Sequence, residues 1–141
     1  SGSFVGVRAG HEKGHFARAV LEGVAYSLRD CLATVDRLGM PHEDHAVIIG
    51  GGAASPLWRQ IVADVLGISL VERENSDSSF GSAMLAGVAA GAFASPMAAL
   101  ETCTAIRSHT VPNEENTAAY EKAYRRYRAV AEALLPLAEE A

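Results

Sequence analysis

Val47-Ile48-Ile49-Gly50-Gly51-Gly52-Ala53-Ala54-Ser55-Pro56-Leu57-Trp58 is the stretch on which the fold turns. The continuous apolar run from Ala46 to Ile49, bounded by turn-formers, suits a strand covered on both faces. Glycines 50 to 52 follow at once. Ser55 can then cap a helix, and Pro56 fits its first helical position. Glycines let a backbone fold sharply and admit a ligand where a Cβ would stand in the way. The helix behind the turn aims free N–H groups and a partial positive charge at it. Such a strand–turn–helix unit suits a nucleotide, and a purely structural bend equally well. It has no Lys-Ser/Thr as in a P-loop, and it is not G-x-G-x-x-G.

Downstream, the helix is predicted to run to about Leu66. Leu57, Ile61 and Val65 form one i, i+4 row, and Trp58, Val62 and Leu66 the adjacent one. Gly67 stops it, and Ile68 to Val71 reads as the next strand. Asp77 or Ser78 can cap a third helix, about Ser79 to Phe93. Its core side is predicted from Gly81, Ala83, Ala86, Gly87, Ala90 and Gly91, close to a backbone or ligand, since glycine costs about 1 kcal/mol relative to Ala in a helix. After Pro112, Asn113 can cap a last helix. Glu114 and Glu115 sit in its first turn, where the helix dipole favours negative charge. Tyr120, Tyr124, Tyr127, Ala131 and Leu134 form a core-facing stripe, and Pro136 is expected to end the helix.

Upstream, Phe4 to Val7 is a candidate edge strand. A long helix is predicted from about His15 to Leu38, with Val20, Val24, Leu28, Leu32, Val35 and Leu38 on one face. Gly39 and Pro41 stop it. Long helical stretches alternating with short apolar runs predict an α/β fold with at least two parallel strands.

Composition excludes several classes. The 141 residues are 49% hydrophobic and 21% charged, with a net charge of -5. That length suits one domain with one core, and scattered Lys and Arg in a mildly acidic chain make no footprint for nucleic acid. Ala83 to Ala94 is too short and too rich in small residues to span a bilayer, and no secretion signal is seen. Cys31 and Cys103 are expected as reduced, partly buried thiols of a cytoplasmic protein.

Gly50-Gly51-Gly52-Ala53-x-Ser55-x-x-Trp58-Arg59-Gln60-x-x-Ala63-Asp64-x-x-Gly67 resembles the adenosine motif of the FGGY carbohydrate kinases, in particular their xylulokinase-like branch. Three further stretches agree in order. Arg18 to Ala25 resembles the helix before the motif, Gly81 to Gly87 the small-residue helix after it, and Tyr120 to Leu135 the closing helix. The resemblance covers about Phe4 to Leu137. It implies part of an RNase H-like lobe, as in actin and the Hsp70-type ATPases, with ATP in the cleft between two lobes. Residues 1–141 would be the C-terminal portion of the nucleotide-binding lobe, with the sugar-binding lobe outside the chain. By position, Gly51, Gly52 and Ala53 would line the nucleotide, and Ser55 and Pro56 would lie near the adenine. Several relatives carry Asn where Pro56 stands, so that side-chain contact would pass to backbone groups here.

The resemblance further implies ATP with Mg2+ and transfer of the γ-phosphoryl to a hydroxyl of a sugar, such as D-xylulose, or of a polyol. The general-base Asp is expected upstream of Ser1, so no catalytic residue or metal ligand is assigned and the segment alone is expected to be inactive. Asp64 is expected to be structural, as is Glu22. Homodimers are frequent in the family, and an exposed apolar surface is expected on this segment.

Two other readings compete. One is a stand-alone nucleotide-binding or sensor module of the actin-like superfamily. The other is a zinc hydrolase, because His11-Glu12-Lys13-Gly14-His15 fits H-E-x-x-H. Against it stand Gly10 and Gly14, which make a poor rigid helix, and the lack of a well-spaced third ligand. Arg125, Arg126 and Arg128 form a small basic cluster offset by Glu121 and Glu132, the pattern of a solvated helix face.

Overall fold

The computed structural model describes residues 2–75 and 77–139. In chain order its elements are α1 (Lys13–Arg37), β1 (His45–Val47), a 3-10 turn (Gly51–Ala54), α2 (Pro56–Leu66), β2 (Ser69–Arg73), α3 (Ser78–Ala89), α4 (Pro96–Cys103), β3 (Ile106–Thr110) and α5 (Glu114–Glu139). Two compact units result: one from Ser1–His42, Asp64–Gly67 and Pro112–Ala141, the other from Glu43–Ala63 and Ile68–Val111.

In the first unit, α1 and α5 meet through aromatic rings. Tyr26 is buried, and its ring centroid lies 6.1 Å from Tyr120, 6.1 Å from Tyr124 and 5.2 Å from Tyr127. The tyrosine stripe therefore faces a core, as its spacing predicts. Polar tips tie the same seam. Glu22 Oε1 accepts from Arg18 Nε at 2.7 Å and from the Tyr120 hydroxyl at 2.8 Å, while the Tyr124 hydroxyl donates to Asp30 at 2.6 Å. Glu22 is thus structural. The Arg29 guanidinium lies 4.3 Å from the Tyr124 ring centroid and donates to Glu121.

Glu121 gives this seam a pH dependence. The Arg29 bond first, and the Arg125 bond second, hold its carboxyl below the usual range. A depressed carboxyl contributes stability above its unfolded pKa and loses it as pH falls through the folded one. Glu121→Gln is expected to be less stable than the parent near neutrality, with the gap closing as pH falls through and below the ordinary carboxylate range. Denaturant titration across a pH series measures this, and a gap independent of pH would overturn the assignment.

Three expectations for this unit are corrected. Phe4 to Val7 forms no strand; Phe4 packs edge-on against Phe16 at 5.3 Å. The apolar stripe of α1 is not its buried face: Val20, Val24 and Leu28 are exposed, and Ala25 and Tyr26 are buried. The helix carries two apolar faces, and burial goes to the one that aromatic rings can fill. Pro136 does not end α5, which continues to Glu139. The proline ring costs the turn one hydrogen bond to the carbonyl four residues back, and that carbonyl belongs to the exposed Glu132.

The second unit is a three-stranded sheet in the order β1-β2-β3. β1 and β2 are parallel, with His45 opposite Ser69 and Val47 opposite Val71. β2 and β3 are antiparallel, with Leu70 opposite Thr110. The parallel pair matches the expectation, and β3 and α4 are additions to it. Strand β1 stops at Val47, and Val47 and Ile49 are exposed, so this strand is not covered on both faces. Ile61, Val62, Ala63, Leu70, Val71 and Ala99 make the core. Asp77 caps α3 by accepting from the Phe80 N–H at 2.8 Å. α3 ends four residues early, buries no side chain fully, and packs on α4. Its glycines divide: a Cβ on Gly87 would meet the Phe93 ring at 2.8 Å, whereas one on Gly81 would meet nothing within 4 Å. No helix is long and apolar enough to cross a membrane among the described residues. Cys31 and Cys103 are free thiols, the first exposed and the second half-buried.

Candidate functional site

The glycine turn forms between β1 and α2 as its sequence dictates. Gly50 has φ 82° and ψ -176°, a region essentially restricted to glycine. The 3-10 turn closes when the Ala53 N–H donates to the Gly50 carbonyl at 3.0 Å and the Ser55 N–H to the Gly52 carbonyl at 3.1 Å. The Ser55 hydroxyl accepts from the Trp58 N–H at 3.3 Å, so Ser55 caps α2 and Pro56 opens it. Gly67, with φ 71°, follows its last residue.

The predicted site residues divide into two kinds. Gly51, Gly52, Ser55 and Pro56 are exposed, and Ala53 is buried. Ala53 also has both backbone groups committed, its N–H to Gly50 and its carbonyl to the Arg59 guanidinium. The glycines differ in what limits them. A Cβ on Gly52 would lie 3.0 Å from the Trp58 indole, so Gly52 gives room to a side chain of α2, the helix that follows the turn. A Cβ on Gly51 would meet nothing within 4 Å, so the space beside it is open to a ligand. The turn thus presents the exposed backbone of Gly51 and Gly52 next to the buried Ala53.

A charged pair adjoins the turn through the Ala53 carbonyl, which accepts from Arg59 NH1. Arg59 NH1 lies 3.6 Å from Glu72 Oε2, and both side chains are largely buried. Glu72 accepts from the Ser108 hydroxyl at 2.9 Å and from Arg107 NH1 at 3.4 Å. The signal in the sequence is a glutamate directly after two buried strand residues, Leu70 and Val71.

Asp64 is structural. Its Oδ1 accepts from the Asn113 N–H at 2.8 Å and its Oδ2 from Asn116 Nδ2 at 2.9 Å. The zinc motif does not assemble as a helical pair. Helix α1 begins at Lys13, so His11 lies before it. His11 Nδ1 accepts from the Arg8 N–H at 3.2 Å, and His15 Nδ1 from the Glu12 N–H at 3.1 Å. Both rings serve the helix entry. Among the described residues, the one group of three carboxylate and imidazole side chains close enough to share an ion is Glu43, Asp44 and His45, with ligand atoms within 4.8 Å.

Residues 1–90 match the model of the FGGY family of carbohydrate kinases, C-terminal domain. The chain is 37% identical over 131 residues to the xylulose kinase of Staphylococcus epidermidis, covering 92% of this chain and 26% of that protein. It is 37% identical over 138 residues to the xylulose kinase of Escherichia coli, covering 96% of this chain and 28% of that protein. The crystal structure of the xylulose kinase from Rhodospirillum rubrum superimposes with a TM-score of 0.83 at 29% identity, over 97% of this chain and 28% of that one. The chain therefore spans about a quarter of the length of the relatives it matches. With the α/β fold, the mixed sheet and the glycine turn of the family's motif all in place, the chain belongs to the FGGY family of carbohydrate kinases, within its C-terminal domain and on the xylulokinase-like side.

Proposed function

We propose that this chain is the adenosine-binding part of an ATP-dependent kinase that phosphorylates a pentulose such as D-xylulose. The open space beside Gly51 carries the reading: an exposed glycine edge between a strand and a helix admits a ribose or adenine at van der Waals distance, where any side chain would hold it off. The exposed Gly52, Ser55 and Pro56 extend that edge, beside the buried Ala53. The similarity to xylulose kinases supports the sugar class. In the reaction, the sugar hydroxyl oxygen forms a bond to the γ-phosphorus, the bond from that phosphorus to the bridging oxygen breaks, and ADP leaves. A general-base Asp elsewhere in the kinase would take the hydroxyl proton, and Mg2+ would offset the phosphate charge. This chain's share is to fix the far end of ATP so that the γ-phosphorus meets the sugar in line.

The test is ADP release from the full reading frame with Mg-ATP against a panel of ketoses and polyols. Release with one pentulose names the substrate. Gly51→Val is expected to raise the KM for ATP about tenfold or more, equivalent to about 1.4 kcal/mol, with the thermal midpoint nearly unchanged. Gly51 suits this better than Gly52, whose substitution would also push on Trp58. ATP binding without sugar-dependent release would favour a nucleotide-binding module, and no ATP binding at all would end the proposal.

A further inference from the structure

We propose that Arg59, backed by Glu72, is a positioning residue that holds the glycine turn in its ligand-ready shape; this rests on the nucleotide reading of that turn. Arg59 sits in the first turn of α2 with its side chain 15% exposed, and its NH1 donates to the Ala53 carbonyl. The same nitrogen faces Glu72 on β2 at 3.6 Å, and Glu72 is anchored in turn by Ser108 and Arg107 of β3. Ala53 is therefore gripped from both sides, by Arg59 at its carbonyl and by Gly50 at its N–H. The strut runs from the sheet through one guanidinium to the Ala53 carbonyl, in the same turn as the exposed Gly51 and Gly52.

Two observations separate this arrangement from ordinary packing. The Arg59 Nε is buried with no hydrogen-bond partner, a penalty that an apolar side chain of similar length would avoid. The carbonyl it grips belongs to the turn itself and not to the regular helix that carries it. Gly50 to Gly52 have no side chains with which to hold themselves, so their conformation is the loosest part of the site unless something ties it down. A turn fixed in advance spares the nucleotide the cost of ordering it. Both contacts run through NH1, whose two N–H bonds can serve the Ala53 carbonyl and the Glu72 carboxylate from a planar guanidinium that is less strongly hydrated than a Lys ammonium.

The expected signature is a split between the two substrates. In the full reading frame, Arg59→Met raises the KM and the Kd for ATP about tenfold and leaves the KM for the sugar within twofold. Arg59→Lys falls between the two. Glu72→Gln raises the ATP values about threefold. Because Glu72 acts through Arg59, the double variant Arg59→Met with Glu72→Gln is no worse toward ATP than Arg59→Met alone. Initial-rate kinetics and ATP titration of the folded variants provide these readouts. Unchanged ATP values in Arg59→Met, or equal rises for ATP and sugar, would overturn the strut. Should Arg59→Met not fold, Arg59→Lys decides, and ATP values equal to the parent's would overturn it. Failure of the parent enzyme to bind ATP would sink the nucleotide reading itself, a different result from a parent that binds and a variant that binds equally well.

Discussion

Tyr26→Ala is expected to destabilise the chain by about 3–5 kcal/mol, the range for removing a buried aromatic side chain. Tyr26 is 7% exposed and shares its ring faces and edges with Tyr120, Tyr124 and Tyr127 at centroid distances of 5.2 to 6.1 Å. Truncation removes the transfer free energy of one ring and the aromatic contacts of three others, and rings held on a helix cannot collapse fully into the space. Tyr26→Phe keeps the ring and should cost about 1 kcal/mol or less. The two variants also differ in alkali. Burial, and then the negative charge of Glu22, push the Tyr26 phenol well above its ordinary value. A raised folded pKa means that the neutral phenol's contribution is complete below the unfolded pKa near 10 and is lost as pH rises through the folded one. Tyr26→Phe lacks that loss. Urea denaturation at neutral and alkaline pH measures both effects, and a cost under about 1 kcal/mol for Tyr26→Ala would show that the cluster does not hold α1 to α5.

Asp64→Ala should cost about 2–4 kcal/mol, by a different mechanism. Asp64 is 2% exposed, and its two oxygens receive the Asn113 N–H and the Asn116 side-chain amide. Asn113 in turn accepts from the Asn116 N–H at 3.0 Å, so one carboxylate organises the entry to α5. Hydrogen bonds to a charged group contribute about 1.5–3 kcal/mol each, and removing the acceptor strands two donors. Asp64→Asn keeps one acceptor oxygen and should lose about half as much. The same variants report through amide exchange: the first turn of α5 should lose protection before the tyrosine seam does. A loss under about 0.5 kcal/mol, or uniform loss of protection along α5, would sink the capping role.

Much of the fold was legible, because its signals are local. The bounds of α2, its serine cap, its opening proline and the stop at Gly67 all follow from interactions within four residues of one another. The same holds for the Asp77 cap and the tyrosine row on α5. The misses share another origin. Strand β3 has no apolar run; Arg107 and His109 face solvent, and it joins the sheet because β2 offers it a free edge. Helix α4 is the exception, since its Ser95 cap and Pro96 are as local as the signals of α2. The α1 stripe is apolar as expected but exposed at Val20, Val24 and Leu28, since period alone does not say which apolar face finds a partner.

Residue order along the chain was sufficient for the strand–turn–helix unit and for a sharp glycine turn at its bend, because backbone sterics and capping act over a few bonds. Only the tertiary structure decided that Gly52 makes room for Trp58 while Gly51 stays open, that Asp64 reaches across 49 residues to Asn113, and that Arg59 meets both the Ala53 carbonyl and Glu72. Those depend on burial and on the meeting of elements distant in sequence, where desolvation makes each polar contact strong and each missing one costly.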